Sequence, residues 1–483
     1  MLPPTRTVLF GMALGAAGVM TAVSAAPSAT AAPRETTTAA PGATAAPTAT
    51  AAAASPGDTS PLSGVSFKLK PSPVSPAALA ELDQMAANPA RGMKRQDGLA
   101  PAAADAKRKF TWKKSCPSGA QSAIKALDAK VTLAGWCFAT SEDAGTGSDQ
   151  NKKQWIPQGI AYSKTSQLNG IALSWYHRVN KGGKWVTDQG RITVGPSPKA
   201  YKAGAYDPVT LAVPTATASG KLVAKEVVPP QPPGGDASAQ GTAESTQHNG
   251  GVALVGNYLY VAGTSEVRVF DVRRTYQVPT GKDILGVGSD GKFYAHNAKY
   301  VLFQTNKFTP ENAGSCPAES KPPSATSKDL CFSTVFYDQT TSPGSLLVSE
   351  YKAKGGVTSS RPLRVARWSL NADGSLKTDA SGKAVSQVVY KTNLLHVQGV
   401  AGYHSGTGDT IYYNTSSSAP AIFSDRDSDG KAPFKLVGTI GAESFAYEPV
   451  SSGGGRLWSV TEQPGKRMLY YTYRKDMQRS GMP

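Results

Sequence analysis

Cysteine is scarce in this chain. Four residues in 483, Cys116, Cys137, Cys316 and Cys331, form no C-x-x-C pair and no Cys/His cluster of zinc spacing. A zinc finger or ribbon is therefore excluded, and an even, low count in an exported chain points to disulfides. Other signatures are missing too: no G-x-S-x-G elbow, no H-E-x-x-H and no G-x-x-x-x-G-K-[ST] phosphate loop. A Ser–His hydrolase, a zinc protease and a P-loop enzyme lose their main support. Acidic residues are few, 34 Asp and Glu against 51 Lys and Arg, which gives a formal net charge of +17.

Long apolar runs are absent after the N-terminus. The one candidate, Val8–Val23, follows Arg6 and ends in small residues, Ser24-Ala25-Ala26 and Ala29-Thr30-Ala31. A charged start, a short apolar core and an A-x-A-like end read as a secretory signal peptide spanning 1–31, cut after Ala25 or Ala31. The run is shorter than the roughly 20 residues that cross a bilayer, so no transmembrane segment is expected in the mature chain. The expected location is extracellular.

Export makes cystines the expected state of the four thiols. Three pairings are open; the local ones, Cys116–Cys137 and Cys316–Cys331, are preferred because each closes a short segment rich in turn residues.

Residues 32–109 read as a leader. Up to Ser60 it is almost only Ala, Pro, Thr, Ser and Gly, too polar and small to offset chain entropy, so disorder is expected. Ser75-Pro76 then opens a short helix over 76–87, with Ser as cap and Pro in the first turn, and Asn88-Pro89 ends it. Arg91, Lys94, Arg95, Lys107, Arg108, Lys109, Lys113 and Lys114 crowd the next stretch. Outside a cell such charge favours anionic envelope polymers; no nucleic-acid recognition motif accompanies it, so nucleic acid is not expected.

The folded domain is expected over 110–483. Short apolar runs recur there, bounded by Gly, Pro and Asn turns. Opening strands are Gln158–Tyr162, Gly250–Leu254, Phe332–Phe336, Gln398–Gly402 and Glu443–Tyr447. Second strands follow as Ile171–Tyr176, Tyr258–Ala262, Leu346–Glu350, Ile411–Asn414 and Leu457–Val460, and most copies carry a third. The repeat predicts an all-β fold, a β-propeller of five or six blades. Val131–Phe138 is expected to close the ring, or to help build a sixth blade with Val209–Val213 or Tyr300–Phe303. Pro229–Gln247 and Pro310–Leu330 read as insertions. A two-sheet sandwich is the competing fold, and one sandwich rarely needs this many strands.

The segments KYVLFQ, CFSTVFYD, SLLVSEY, LRVARWSL, VQGVAGY, ESFAYEP and GRLWSVTEQPGKR resemble uncharacterised secreted actinobacterial proteins of propeller type, from about Trp155 to the C-terminus. The resemblance implies fold and export. More distantly, ESFAYEP is similar to strands of the calcium-dependent gluconolactonase and strictosidine-synthase-like propellers. Glu443 matches their acidic position, whereas Gln158, Gly250 and Gln398 stand at the comparable starts.

In a propeller the leading residues of the inner strands rim one mouth of the axis. Gln158, His248, Asn249, His396, Gln398 and Glu443 are thus expected together, as ligands for a small polar molecule or a calcium ion. The alternative is that these amides satisfy backbone groups between blades. Glu350 and Glu462 end second strands and join Glu443 as candidate acid–base carboxylates; the alternative for such a Glu is an inter-strand ion pair with Arg364 or Arg474. Asp425, Asp427 and Asp429 form a D-x-D-x-D-G run, half of a calcium loop, with Leu436 where the closing Glu would stand. Two functions follow: a monomeric extracellular binding protein for a small polar or saccharide ligand or anionic envelope polymer, or a calcium-assisted lactonase or glycan-active hydrolase or lyase.

Overall fold

The computed structural model describes residues 59–140, 148–199, 202, 204–216, 222–226, 249–311, 324–328, 330–352, 360–406, 408–416, 420–426 and 433–478. Most of the described strands fall into five antiparallel meanders, and a parallel pairing of Tyr300–Phe303 with Val209–Ala212 joins the first two. Blade 1 runs Trp155–Lys164, Asn169–Lys181, Lys184–Gly195 and Gly204–Ala216, with Leu222–Glu226 on its edge. Blade 2 is Val252–Val255, Tyr258–Ala262, Val267–Gln277 and Tyr300–Pro310. Blade 3 is Thr334–Asp338, Ser345–Ser349, Leu363–Ser369 and Val388–Thr392. Blade 4 is Val397–Ser405, Gly408–Thr415, Ala421–Arg426 and Phe434–Val437. Blade 5 takes three strands from the C-terminus, Ala442–Glu448, Arg456–Thr461 and Leu469–Tyr473, and its fourth, Leu133–Cys137, from upstream.

The first strand of each blade packs against the first strand of the next, in the order 1-2-3-4-5-1. The fold is a five-bladed β-propeller. The expected closing strand, Val131–Phe138, does close it; no sixth blade forms among the described residues, because Val209–Val213 and Tyr300–Phe303 serve as fourth strands of blades 1 and 2. Between blades the core is built from alternate residues of facing strands, including the fully buried Trp136, Trp175, Trp368 and Trp458.

Glycine allows so tight a ring. A Cβ on Gly159 would lie 2.5 Å from the Gly250 carbonyl oxygen in blade 2, and one on Gly399 would lie 2.5 Å from that of Glu443 in blade 5. Only a residue without a side chain permits this approach. The Q-G-I-A, G-G-V-A and Q-G-V-A openings are therefore a packing requirement.

Residues 59–109 differ from the expected leader. From Thr59 onward the described segment lies on the ring as a belt. The Thr59 N–H donates to Asp425 Oδ2 of blade 4 at 2.5 Å. Ser60–Pro61 pairs with blade 3, and Lys68–Pro71 and Lys94–Gln96 pair with blade 2. Arg108–Trp112 pairs with blade 1 and with the closing strand of blade 5. The belt thus visits the blades as 4-3-2-1-5, against chain order. Helix α1, Pro76–Ala87, is capped by Ser75 Oγ, which accepts from the Ala78 N–H at 3.2 Å, and buries Ala78, Leu82 and Met85. Helix α2, Ala100–Ala104, buries Ala102, and α3, Ser118–Asp128, buries Ile124 and Leu127. Composition hid this because basic residues dominate the stretch, while Phe67, Leu69, Met93, Leu99 and Phe110 do the burying.

Cys116 and Cys137 form a disulfide with Cα atoms 5.8 Å apart, tying α3's start to the closing strand. Cys331 is disulfide-bonded as well; Cys316 lies outside the described residues. Among the described residues no helix is long and apolar enough to cross a membrane.

Candidate functional site

Three adjacent inner strands carry a β-bulge near their first residues. In blade 1 the register shifts between Pro157 and Gly159, in blade 4 between Val397 and Gly399, and in blade 5 between Ala442 and Phe445. The residues in the bulges are Gln158, Gln398 and the pair Glu443-Ser444. A bulge re-aims a side chain out of the pleat, so one device has been used three times at one end of the axis. The openings are stitched together: the Ile160 N–H donates to Ser444 Oγ at 2.9 Å, and Asn414 Nδ2 donates to the Glu443 carbonyl oxygen at 2.9 Å.

Glu443 is 2 % exposed, and its Oε1 is buried with no hydrogen-bond partner. Burial, reinforced by the nearby Glu462, pushes its carboxyl well above the usual range. Glu462 is half-buried on the loop after the second strand of blade 5 and accepts from Gln158 Nε2 at 3.0 Å on Oε2. Gln158 also donates to the Pro157 carbonyl at 3.1 Å. Beside them Arg467 donates to the carbonyl oxygens of Glu462 at 2.9 Å, Lys152 at 2.7 Å, Trp155 at 2.5 Å and Asp149. Its guanidinium, pushed down to about 10 by burial, pins the Glu462 loop to the segment entering blade 1.

Gln398 is half-buried and its amide has no hydrogen-bond partner among the described residues. Two residues upstream, His396 has a left-handed φ of 57°. Its N–H donates to the Lys352 carbonyl at 2.8 Å, and its Nδ1 lies 3.2 Å from the Tyr351 hydroxyl of blade 3. The mouth therefore groups Gln158, Glu443, Glu462 and Gln398, with the Tyr351–His396 pair joined through Gln398's own strand.

Other expected members do something else. Asn249 is fully buried; its Nδ2 donates to the Trp175 carbonyl at 2.8 Å and its Oδ1 accepts from Arg268 at 2.5 Å. It joins blades 1 and 2, as the structural alternative required. Glu350 is not free for acid–base work. Its carboxylate accepts from Arg364 Nε at 2.9 Å, Nη2 at 2.5 Å and N–H at 3.1 Å, the inter-strand ion pair named as its alternative. Asp425 stands in a strand and its Oδ2 accepts from the Thr59 N–H; Asp427, Asp429 and His248 lie outside the described residues. Among the described residues no group of three or more His, Cys, Asp or Glu stands ready for a metal.

Sequence reasoning missed the polar residues beneath the mouth. Ser174, Asn414 and Ser459 sit in otherwise apolar second strands and bond the opening of the neighbouring or their own blade: Ser174 to the Gly250 carbonyl at 2.7 Å, Asn414 and Ser459 to that of Glu443 at 2.9 and 3.3 Å. The recurring signal, one Ser or Asn after two or three apolar residues, was available in A-L-S-W, Y-Y-N-T and L-W-S-V.

The basic segment is partly consumed by the fold. Arg95 pairs with Asp83 at 3.2 Å, buried Arg108 with Asp149 at 2.6 Å and Lys113 with Asp128 at 2.5 Å. Lys94, Lys107, Lys109 and Lys114 stay exposed. At the opposite end of the inner strands, Tyr162, Leu254, Tyr337 and Tyr447 with Ile160, Val252 and Phe445 line a mostly apolar space of about 220 Å³, including its solvent-facing part.

No family model matches the chain and no curated protein matches it, so neither comparison supports the likeness to secreted actinobacterial propeller-type proteins. Solved structures that overlap it include a GH43_1 enzyme from Xanthomonas citri complexed with xylose, 11 % identical, covering 73 % of this chain and 92 % of that one at a TM-score of 0.31. RS223-β-xylosidase is 8 % identical, covering 66 % and 92 % at 0.29. A putative 6-phosphogluconolactonase from Bacteroides fragilis is 12 % identical, covering 66 % and 76 % at 0.22. Scores this low establish no common chemistry; the ring stands on its own strand pairing.

Proposed function

We propose that the chain is an exported propeller that binds a small polar or saccharide ligand at the axial mouth of blades 4, 5 and 1. The observation that carries this is the triple bulge, which sets amide, carboxyl and amide side by side with the Gln398 amide unpartnered. Such a row offers donors and acceptors alternately, the pattern that recognises vicinal hydroxyls. The Cys116–Cys137 disulfide supports an oxidising compartment, and the Val8–Val23 run supports the route there. Titration calorimetry against neutral and acidic oligosaccharides tests the reading. Binding that weakens at least tenfold in Gln398→Ala supports it; a full panel without heat, or a Gln398→Ala variant that binds normally, removes it.

The exposed lysines Lys94, Lys107, Lys109 and Lys114 serve, in this reading, as a contact for anionic envelope polymer. Association with isolated cell walls should then fall steeply as salt rises. Binding indifferent to ionic strength counts against this part alone.

A second reading has its own observation. Glu443 and Glu462 stand together with Glu443 biased towards its neutral form, the division of labour an acid–base pair uses. The substrate class would be a glycoside or lactone, with Glu462 outermost. Turnover that survives unchanged in Glu443→Gln eliminates this reading without touching the first.

A further inference from the structure

The two ends of the axis differ in chemistry. One carries the amides and carboxyls of the bulged openings; the other is a hollow walled by the inner strands of blades 1, 2, 3 and 5. Its wall repeats as three tripeptides, Ile160-Ala161-Tyr162, Val252-Ala253-Leu254 and Phe445-Ala446-Tyr447, with Tyr337 added from blade 3. Leu254 packs in one cluster with Ala161, Tyr162 in one with Ala446, and Tyr337 in one with Ala253. A large side chain of each blade is thus set against an alanine of the blade before it. The small partners leave the hollow, about 220 Å³ counting its solvent-facing part.

The side chains around it are held from collapsing inward. A Cβ on Gly455 would collide with the Tyr447 ring, and one on Gly344 would lie 2.9 Å from Tyr337 Cε2, so backbone backs both rings. Water is a poor occupant, since it needs about two to four polar partners and most of the wall is buried hydrocarbon. Two of the three tyrosine hydroxyls are engaged. Tyr447 donates to the Gly454 carbonyl at 3.3 Å, and burial with the adjacent Glu448 carboxylate pushes Tyr162 up to about 12. The Tyr337 hydroxyl has no hydrogen-bond partner among the described residues.

We propose that this far mouth is a second binding site, for a single phenolic ring that enters the hollow and hydrogen-bonds Tyr337 through its hydroxyl. An apolar space of about 150 Å³ takes one benzene-sized ring, so the hollow suits one ring and is too small for a sugar chain or an acyl tail. Tyrosine walls add edge-to-face contact to the burial of apolar area. Walls fixed before the ligand arrives leave little to order on binding. The site stands apart from the saccharide reading, because it lies at the other end of the axis and shares no residue with it.

The test titrates the full-length chain with phenol and, separately, with toluene by calorimetry. Wild type should bind phenol with a Kd of about 1 mM or tighter, as one enclosed ring allows. Tyr337→Phe should weaken phenol about three- to tenfold, the loss of one hydrogen bond, and leave toluene binding as it was. Ala446→Leu fills the hollow and should lose both probes; if that variant fails to fold, Tyr337→Phe decides alone. Gln398→Ala, at the other mouth, should bind phenol like wild type. Any of four results overturns the proposal: a wild type without heat in millimolar phenol, phenol binding unchanged in Tyr337→Phe, binding that persists in folded Ala446→Leu, or binding that vanishes in Gln398→Ala.

Discussion

Gly250 and Ser333 belong to different blades, yet a Cβ on Gly250 would lie 2.0 Å from the Ser333 carbonyl oxygen. The obstacle is backbone, so no rotamer relieves it. Gly250→Ala should cost about 3 kcal/mol or more, the upper end of overpacking penalties. Gly406, with nothing within 4 Å of its would-be Cβ, is the control: Gly406→Ala should change stability by less than about 0.5 kcal/mol in denaturant titration.

Asp149 gives the acid limit of stability. Arg108 at 2.6 Å, Arg191 at 2.8 Å and the Tyr206 hydroxyl at 2.9 Å surround it, and the two guanidinium charges outweigh burial to hold its carboxyl at about 2. A depressed folded-state value means the contribution is complete above the unfolded value near 4 and is lost as pH falls towards 2. It amounts to about 2 kcal/mol. Asp149→Asn should remove that pH dependence and cost about 3–5 kcal/mol at neutral pH, because two buried arginines lose their counter-charge.

The belt should behave as core. Phe67 is 1 % exposed, so Phe67→Ala should cost about 3–5 kcal/mol although it lies outside every blade. A chain starting at Thr59 should melt like the full-length one. A chain starting at residue 73 should melt lower and be cut faster by protease, since the strands at 60–61 and 68–71 are gone.

Cys116→Ser with Cys137→Ser opens a loop of 21 residues and should cost about 3 kcal/mol in equilibrium unfolding. Reductant should lower the midpoint of the wild type and leave that of the double variant far less changed.

Gln398 and Asn249 look alike in sequence and should diverge in experiment. Asn249→Ala removes the acceptor of buried Arg268 and the donor to Trp175, and should cost about 2–3 kcal/mol whether or not ligand is present. Gln398→Ala breaks no hydrogen bond of the described residues and should leave the melting curve in place while weakening saccharide binding.

Much of the blade pattern was legible because each first and second strand, and most third strands, carry their own apolar run between turn residues. Of the fourth strands the closing one, Leu133–Cys137, was legible, whereas Gly204–Ala216 and Tyr300–Pro310 read as spare runs, the latter parted from the rest of its blade by the small hairpin at 285–295. Of the mouth, Gln158, Gln398 and Glu443 were readable as aligned openings. Which of the rim residues remain free was not, because an amide that bridges two blades and one that faces a ligand have the same local sequence. Asn249's bonds to Arg268, 19 positions away, and to the Trp175 carbonyl of the neighbouring blade separate them. The ion pair of Glu350 with Arg364 was weighed as an alternative, and the structure chose it.

The reverse course of the belt sets the timetable of folding. Thr59 emerges early, but its anchor Asp425 is 366 positions downstream, and the closing strand at 133–137 waits for Leu469–Thr472. Nearly the whole polypeptide must be made before Thr59 finds its seat, so the belt docks after the blades it crosses. Contacts so far apart in sequence form late, and the ring stays open until its last strands arrive.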